Sequence, residues 1–188
     1  PSIDLDDLDE ILKLALVEKP NRVVITGDLI DKLAWLPQVC ERLTTFAKQI
    51  PDGVDFILGN HEYHHDVNKV LDELKHNTPM NILVNSNIQI MGGKQPVYIA
   101  GVAYDNDREK EKREAMIDKA LSGIPDYAFV ILLAHHPEFF EEAIERKIPL
   151  TLSGHTHGGQ IVFMGMPLVP TGTPYTKGRY VEEQSVCY

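Results

Sequence analysis

Cysteine is nearly absent: Cys40 and Cys187 are the two in 188 residues. That excludes a disulfide framework and a Cys-x-x-Cys metal site, and it is compatible with a reducing compartment. Long apolar runs are missing too. The most apolar stretch, Phe129 to Ala134, falls far short of the ~20 residues a membrane helix needs. Basic residues are outnumbered, 18 against 28 acidic, which leaves a formal charge of −10 and no basic run. Such a surface repels nucleic acid phosphates unless bound cations reverse the field locally, so a nucleic acid partner is not expected. Nothing at the start reads as a signal peptide, and no repeat, low-complexity tract or linker divides the chain.

What remains is a globular composition, 43% hydrophobic and 24% charged, long enough to bury a sizeable core as one domain over residues 1–188. The chain opens on Pro1, not methionine, and stops at Ser185 to Tyr188, which reads like a strand beginning. The expectation is a domain trimmed at both ends.

Periodicity gives the elements in order. Leu8, Ile11, Leu12 and Ala15 recur at helical spacing over 4–18, with Asp4, Asp6 and Asp7 at the positive end of the helix dipole. Arg22 to Thr26 is a short β-branched strand of the kind buried in a parallel sheet, and it ends in Gly27-Asp28-Leu29-Ile30-Asp31. A second amphipathic helix carries Val39, Leu43, Phe46, Ala47 and Ile50, with Cys40 packed beside that face. The strand Val54 to Leu58 then runs into Gly59-Asn60-His61-Glu62. Two such repeats predict a right-handed parallel α/β sheet. Asp66 to Lys75 reads as a helix, and strands over 82–84, 88–91 and 97–103 turn the sheet antiparallel. The charged helix 108–121 presents a solvated face, strand 129–134 delivers His135-His136-Pro137, and a helix over 138–146 leads to the strand 148–152. A strand at 160–164 and a long loop over 167–180 close the series.

The most informative stretch is Ser153-Gly-His-Thr-His-Gly-Gly-Gln160. On an extended backbone the imidazoles of His155 and His157 point the same way, while the glycines let a metal approach the main chain. Four apolar strands thus end in metal-competent groups: Asp28, Asn60, His135, and the pair His155 and His157. In a parallel sheet these ends share one edge. Oxygen and imidazole donors without thiolate suit Mn, Fe, Zn or similar divalent ions, and a carboxylate such as Asp28 can bridge two of them.

GDLID, GNHE, HHP and GHTHGGQ, in that order, resemble the calcineurin-like metallophosphoesterases, and the GHTHGGQ ending resembles a bacterial branch with phosphodiesterases and lipid-nucleotide pyrophosphohydrolases. The match covers residues 22 to about 180. The resemblance implies an α/β fold, a sandwich of mixed β-sheets flanked by helices. It implies that Asp28 bridges two divalent ions, that Asn60, His135 and His155 complete one, and that His157 serves the other. His61 matches the family histidine that protonates the leaving oxygen, after a hydroxide held by the metals attacks phosphorus in line. Glu62, Asp31 and His136 either support this shell by hydrogen bonding or are purely structural. His64 and His65 line a pocket or an exposed loop, His76 is a surface residue, and Arg179 meets a substrate phosphate or solvent.

The family pattern departs at one point. Its opening strand ends in Asp-x-His, and no Asp-x-His occurs here. The expected function is phosphodiester or pyrophosphate hydrolysis on a small-molecule or lipid-linked phosphoester, with two metals in the complete enzyme and about one in these 188 residues. The alternative is an inactive metal-binding or interaction domain. A cytoplasmic or peripheral membrane location fits either.

Overall fold

Asp4 starts the first helix, α1 (Leu5–Val17), as a capping box: its carboxylate accepts the N–H groups of Asp6 and Asp7, and Asp7 accepts the N–H of Asp4 in return. Two of the four orphan donors of the first turn are satisfied in this way. The computed structural model describes residues 4–104, 109–159, 162–163, 166–167 and 173–188. The chain divides into two compact units, 1–82 and 83–188.

The first unit holds a three-stranded, all-parallel sheet, β1 (Val23–Ile25), β2 (Val54–Phe56) and β3 (Asn81–Ile82), in that spatial order. Helix α2 (Leu36–Ala47), entered through a 3-10 turn at Leu33–Trp35, connects β1 to β2. The connection from β2 to β3 passes through the short α3 (Asn60–Tyr63) and then α4 (Val67–Asn77). Leu36, Val39, Leu43 and Phe46 bury the inner face of α2, as their spacing predicts, and Phe56 in β2 is fully buried, worth about 1.5–3 kcal/mol by itself. Across the sheet, Asp55 of β2 takes Arg22 Nη1 at 2.7 Å and Asn81 Nδ2 at 2.8 Å. One buried carboxylate thereby ties the lead-in of β1 to β2 and β3. Among the described residues β1 is an outer strand, and beside it lies a groove of about 320 Å³ lined by Leu8, Ile11 and Leu12 of α1 together with Val23 and Ile25.

The second unit is built on a six-stranded mixed sheet. Its strands are β4 (Ser86–Met91), β5 (Val97–Gly101), β6 (Phe129–Ala134), β7 (Leu150–Ser153), β10 (Tyr180–Glu182) and β11 (Ser185–Cys187), in the spatial order β10-β11-β7-β6-β5-β4. The four central strands run parallel, and β4 and β10 close the edges antiparallel. The Gly-rich turn after Met91 gives the antiparallel hairpin β4–β5 that the Asn and Gly positions predict. Helices α5 (Lys110–Leu121) and α6 (Phe139–Glu145) supply Ile117, Ala120, Phe140 and Ala143 to a core shared with Ala100, Leu132 and Cys187. A two-residue hairpin, β8 (Val162–Phe163) with β9 (Met166–Pro167), stands apart from this sheet. The remainder of the expected strand at 160–164, the start of the expected helix at Arg108 and the middle of the loop 167–180 lie outside the described residues.

The mixed α/β architecture with helix-flanked sheets matches expectation, and most elements fall near where periodicity put them. Two local features differ. The strand expected over 82–84 is β3 at Asn81–Ile82, and it joins β2 parallel, not antiparallel. Helix α5 is also not simply solvated: Arg113, only 12% exposed, donates to the fully buried Glu142 of α6 at 2.7 Å. Charge alternation alone gives no sign of which cation is turned inward.

Candidate metal and phosphate site

In the first unit the chain leaves β1 through Gly27 and turns at Asp28, which takes a left-handed backbone, φ 57°. Aspartate is among the residues that tolerate this region, at a cost that surrounding contacts must cover. Those contacts come from the loop after β2. Glu62 accepts the N–H groups of Asp28, Leu29 and Ile30, and Asp28 Oδ1 accepts the N–H of His61 at 3.0 Å. Asn60, half-buried, is the first residue of α3. The imidazole of His61 donates from Nδ1 to the carboxylate of Asp31, while its Nε2 lies 3.7 Å from Asp28 Oδ2. His65 Nε2 donates to the carbonyl of Asp31 at 3.1 Å, and the ring of His64 stacks on His61 at 5.6 Å. Asp28, Asp31, His61 and Glu62 therefore form one cluster. The two neighbouring histidines buttress it and are not idle loop residues. His76 caps its own turn through the carbonyl of Asp72, as befits a surface residue.

In the second unit β6 is followed directly by His135, 2% exposed, and β7 by Gly154 and His155. His155 Nδ1 and His135 Nε2 are 3.2 Å apart. Two ligand atoms each about 2.1 Å from one ion, subtending between a right and a tetrahedral angle, are separated by about 3.0–3.4 Å. The pair is thus spaced as adjacent ligands of a single divalent cation. Its rings are held in place: His136 packs on His155 at 3.8 Å, Tyr104 stacks on His136 at 5.1 Å, and the carbonyl of His135 accepts the N–H of Gly154. Tyr104 is a contributor that sequence reasoning missed, since nothing in its local spacing marks it.

Two expectations need correction. His155 and His157 do not share an extended backbone; β7 ends at Ser153, and both residues take left-handed conformations, φ 68° and 49°. His157 is exposed and opens a 3-10 turn with Gly158 and Gly159. The four strand ends also do not belong to one sheet: Asp28 and Asn60 follow strands of the three-stranded sheet, His135 and His155 those of the six-stranded one. The β4–β5 hairpin starts the second sheet, so parallel strands on either side of it lose continuity. Arg179 is exposed.

Carboxylate, amide and imidazole donors at strand ends, without thiolate, suit divalent ions such as Mn, Fe or Zn. Residues 2–159 match the family model described as Calcineurin-like phosphoesterase. The chain is 36% identical over 179 residues to an uncharacterized metallophosphoesterase of Campylobacter jejuni, covering 92% of this chain and 45% of that protein. It is 32% identical over 175 residues to an uncharacterized metallophosphoesterase of Aquifex aeolicus, covering 90% and 63%. A zebrafish protein named as a transmembrane protein with a metallophosphoesterase domain is 29% identical over 200 residues, covering 100% and 44%. The chain belongs to the calcineurin-like phosphoesterase family. It spans about half to just under two thirds of the length of these relatives.

Proposed function

We propose that these residues form the core of a metal-dependent phosphoesterase acting as a phosphodiesterase or pyrophosphohydrolase on a small or lipid-linked phosphoester. Asp28, Asn60, His135 and His155 hold one divalent ion, Mn, Fe or Zn, and Asp28 with His157 forms part of a second site. When bound, such ions supply an activated water at neutral pH and neutralise charge on the phosphoryl oxygens. The observation that carries the reading is the anchoring of His61. With Nδ1 committed to Asp31, only Nε2 is left to face a substrate, and it sits beside the carboxylate of the candidate bridging ligand. The carboxylate of Asp31 orients the ring, so that a proton carried on Nε2 is the one that His61 would pass to a leaving alkoxide or phosphate oxygen.

Among the described residues β1 is an outer strand with an apolar groove beside it, which is compatible with one further parallel strand there, the position that a right-handed crossover through α1 would give it. Such a strand would carry the Asp-x-His that the family resemblance implies. Among the described residues no helix is long and apolar enough to cross a membrane. The zebrafish relative and a bovine one, both named as transmembrane proteins, are compatible with action at a membrane surface.

The test is hydrolysis of bis(p-nitrophenyl) phosphate with added Mn²⁺ by a version extended upstream through an Asp-x-His strand. Turnover is expected, abolished by chelation, with kcat lowered about 10²–10⁴-fold by His61→Ala. Elemental analysis after dialysis should find about two metals in the extended version and about one in the 188-residue chain. Absence of turnover in the extended version favours the inactive metal-binding domain. Two tightly held metals in the short chain overturn the ligand assignment.

A further inference from the structure

Three carboxylates are fully buried among the described residues, Asp55, Glu62 and Glu142. Asp55 and Glu142 each face an arginine. Glu62 is met by main-chain N–H groups. Its Oε1 accepts from Leu29 at 2.7 Å and Ile30 at 2.9 Å; its Oε2 accepts from Asp28 at 3.0 Å and Gly59 at 2.6 Å. Three consecutive N–H groups converging on one point form an anion-binding concavity of the kind that commonly takes phosphate. Here the protein's own side chain fills it.

The geometry points to Glu62 as a positioning residue for Asp28, an assignment that rests on the proposed role of Asp28 as a metal ligand. The loops after β1 and β2 grip each other in both directions. Glu62 holds the backbone of 28–30 from the second loop, and Asp28 holds the N–H of His61 from the first. The first grip keeps Asp28 in its left-handed conformation, which an unsupported loop would leave. The second sets the carboxylate of Asp28 against the segment carrying Asn60 and His61. Both carboxylate oxygens of Glu62 are taken by main-chain N–H groups, so it acts through the loop and fixes where the ligand and the acid stand relative to each other. No shorter or neutral side chain does the same. Aspartate lacks a methylene of reach, and glutamine presents an NH₂ to two of the four donors, leaving buried N–H groups unpaired.

The experiment compares Glu62→Gln with Glu142→Gln, which disturbs a buried carboxylate in the other unit and leaves the candidate ligands alone. In the metal-free 188-residue chain, amide exchange at residues 28–30 and 59 should rise at least tenfold in Glu62→Gln and stay unchanged in Glu142→Gln. In a Co²⁺ titration followed by visible absorption, Glu62→Gln should weaken binding about 10–100-fold, the usual effect of losing a residue that orients a ligand, while Glu142→Gln should not. In the extended, active version the loss should fall on kcat with KM within twofold. Equal amide exchange in Glu62→Gln and wild type overturns the inference whether or not metal binds. Unaltered Co²⁺ affinity and spectrum in Glu62→Gln also overturns it. A wild-type chain that ignores Co²⁺ overturns the ligand assignment, and the amide exchange then still decides whether Glu62 holds the loop.

Discussion

The ion pair beneath the first sheet provides a direct test of how that sheet holds its loops. Asp55 is fully buried and has two side-chain partners, Arg22 at 2.7 Å and Asn81 at 2.8 Å. Arg22→Ala leaves the carboxylate buried with one neutral bond. Removing one member of a buried pair costs about 3–5 kcal/mol. Arg22 is itself 20% exposed, so water reaches the gap and the lower end applies, about 3 kcal/mol. For a chain of this size that is a fall in Tm of roughly 6–12 °C. An internal control has nearly the same geometry: Arg42 meets Asp9 at 2.8 Å between α2 and α1, but both side chains are solvent-accessible. Arg42→Ala should cost about 0–1 kcal/mol. Thermal unfolding followed by circular dichroism at constant pH and salt measures both. If the two alanine variants melt at the same temperature, burial is not what gives the Arg22 pair its value, and the argument fails.

Two further outcomes follow from individual groups. Burial, aided by the charge of Glu182, pushes the phenol of Tyr175 up to about 12. Because the folded state favours the neutral form, Tyr175 contributes stability that is intact below about pH 10 and is lost as pH rises toward 12; an ultraviolet titration should show one tyrosine ionising late, and Tyr175→Phe should flatten the alkaline loss of stability. Burial likewise raises the thiols of Cys40 and Cys187, the former further through the charge of Glu73 and the latter despite a bond to Ser153. Both should resist a thiol-specific reagent at pH 8 in the folded chain and react freely in denaturant, and rapid modification of the native protein would contradict this.

Much of the framework was legible in the sequence because it rests on local periodicity. The α1 cap needs only Asp4 and Asp7, and β6 is marked by an unbroken apolar run. The candidate site was legible as a set of residue types at strand ends. What escaped was whatever depends on residues distant in the chain. Nothing near Tyr104 signals its stack on His136, and nothing in an alternating charge pattern singles out Arg113. The division of the strand ends between two sheets is a property of topology, set where β4 and β5 reverse direction. The backbone of GHTHGGQ was misjudged because an apolar lead-in suggests a strand that continues, whereas β7 ends at Ser153 and His155 and His157 turn left-handed.

The positive φ angles at Asp28, His155 and His157 bear on how this protein should be dissected genetically. Alanine scanning treats each position as a side chain that can be deleted without touching the main chain. At these three it does two things at once. It removes a donor atom, and it places a residue without local polar bonding in a conformation that costs roughly 1–2 kcal/mol for most L-amino acids. A loss of function in Asp28→Ala would therefore mix lost chemistry with a relaxed loop. Asparagine tolerates the same region, so Asp28→Asn and His155→Asn change the side chain without forcing the backbone out of its conformation. Survey libraries of natural variants should show the same bias, with asparagine and glycine surviving at these positions more often than residues closer in size or polarity.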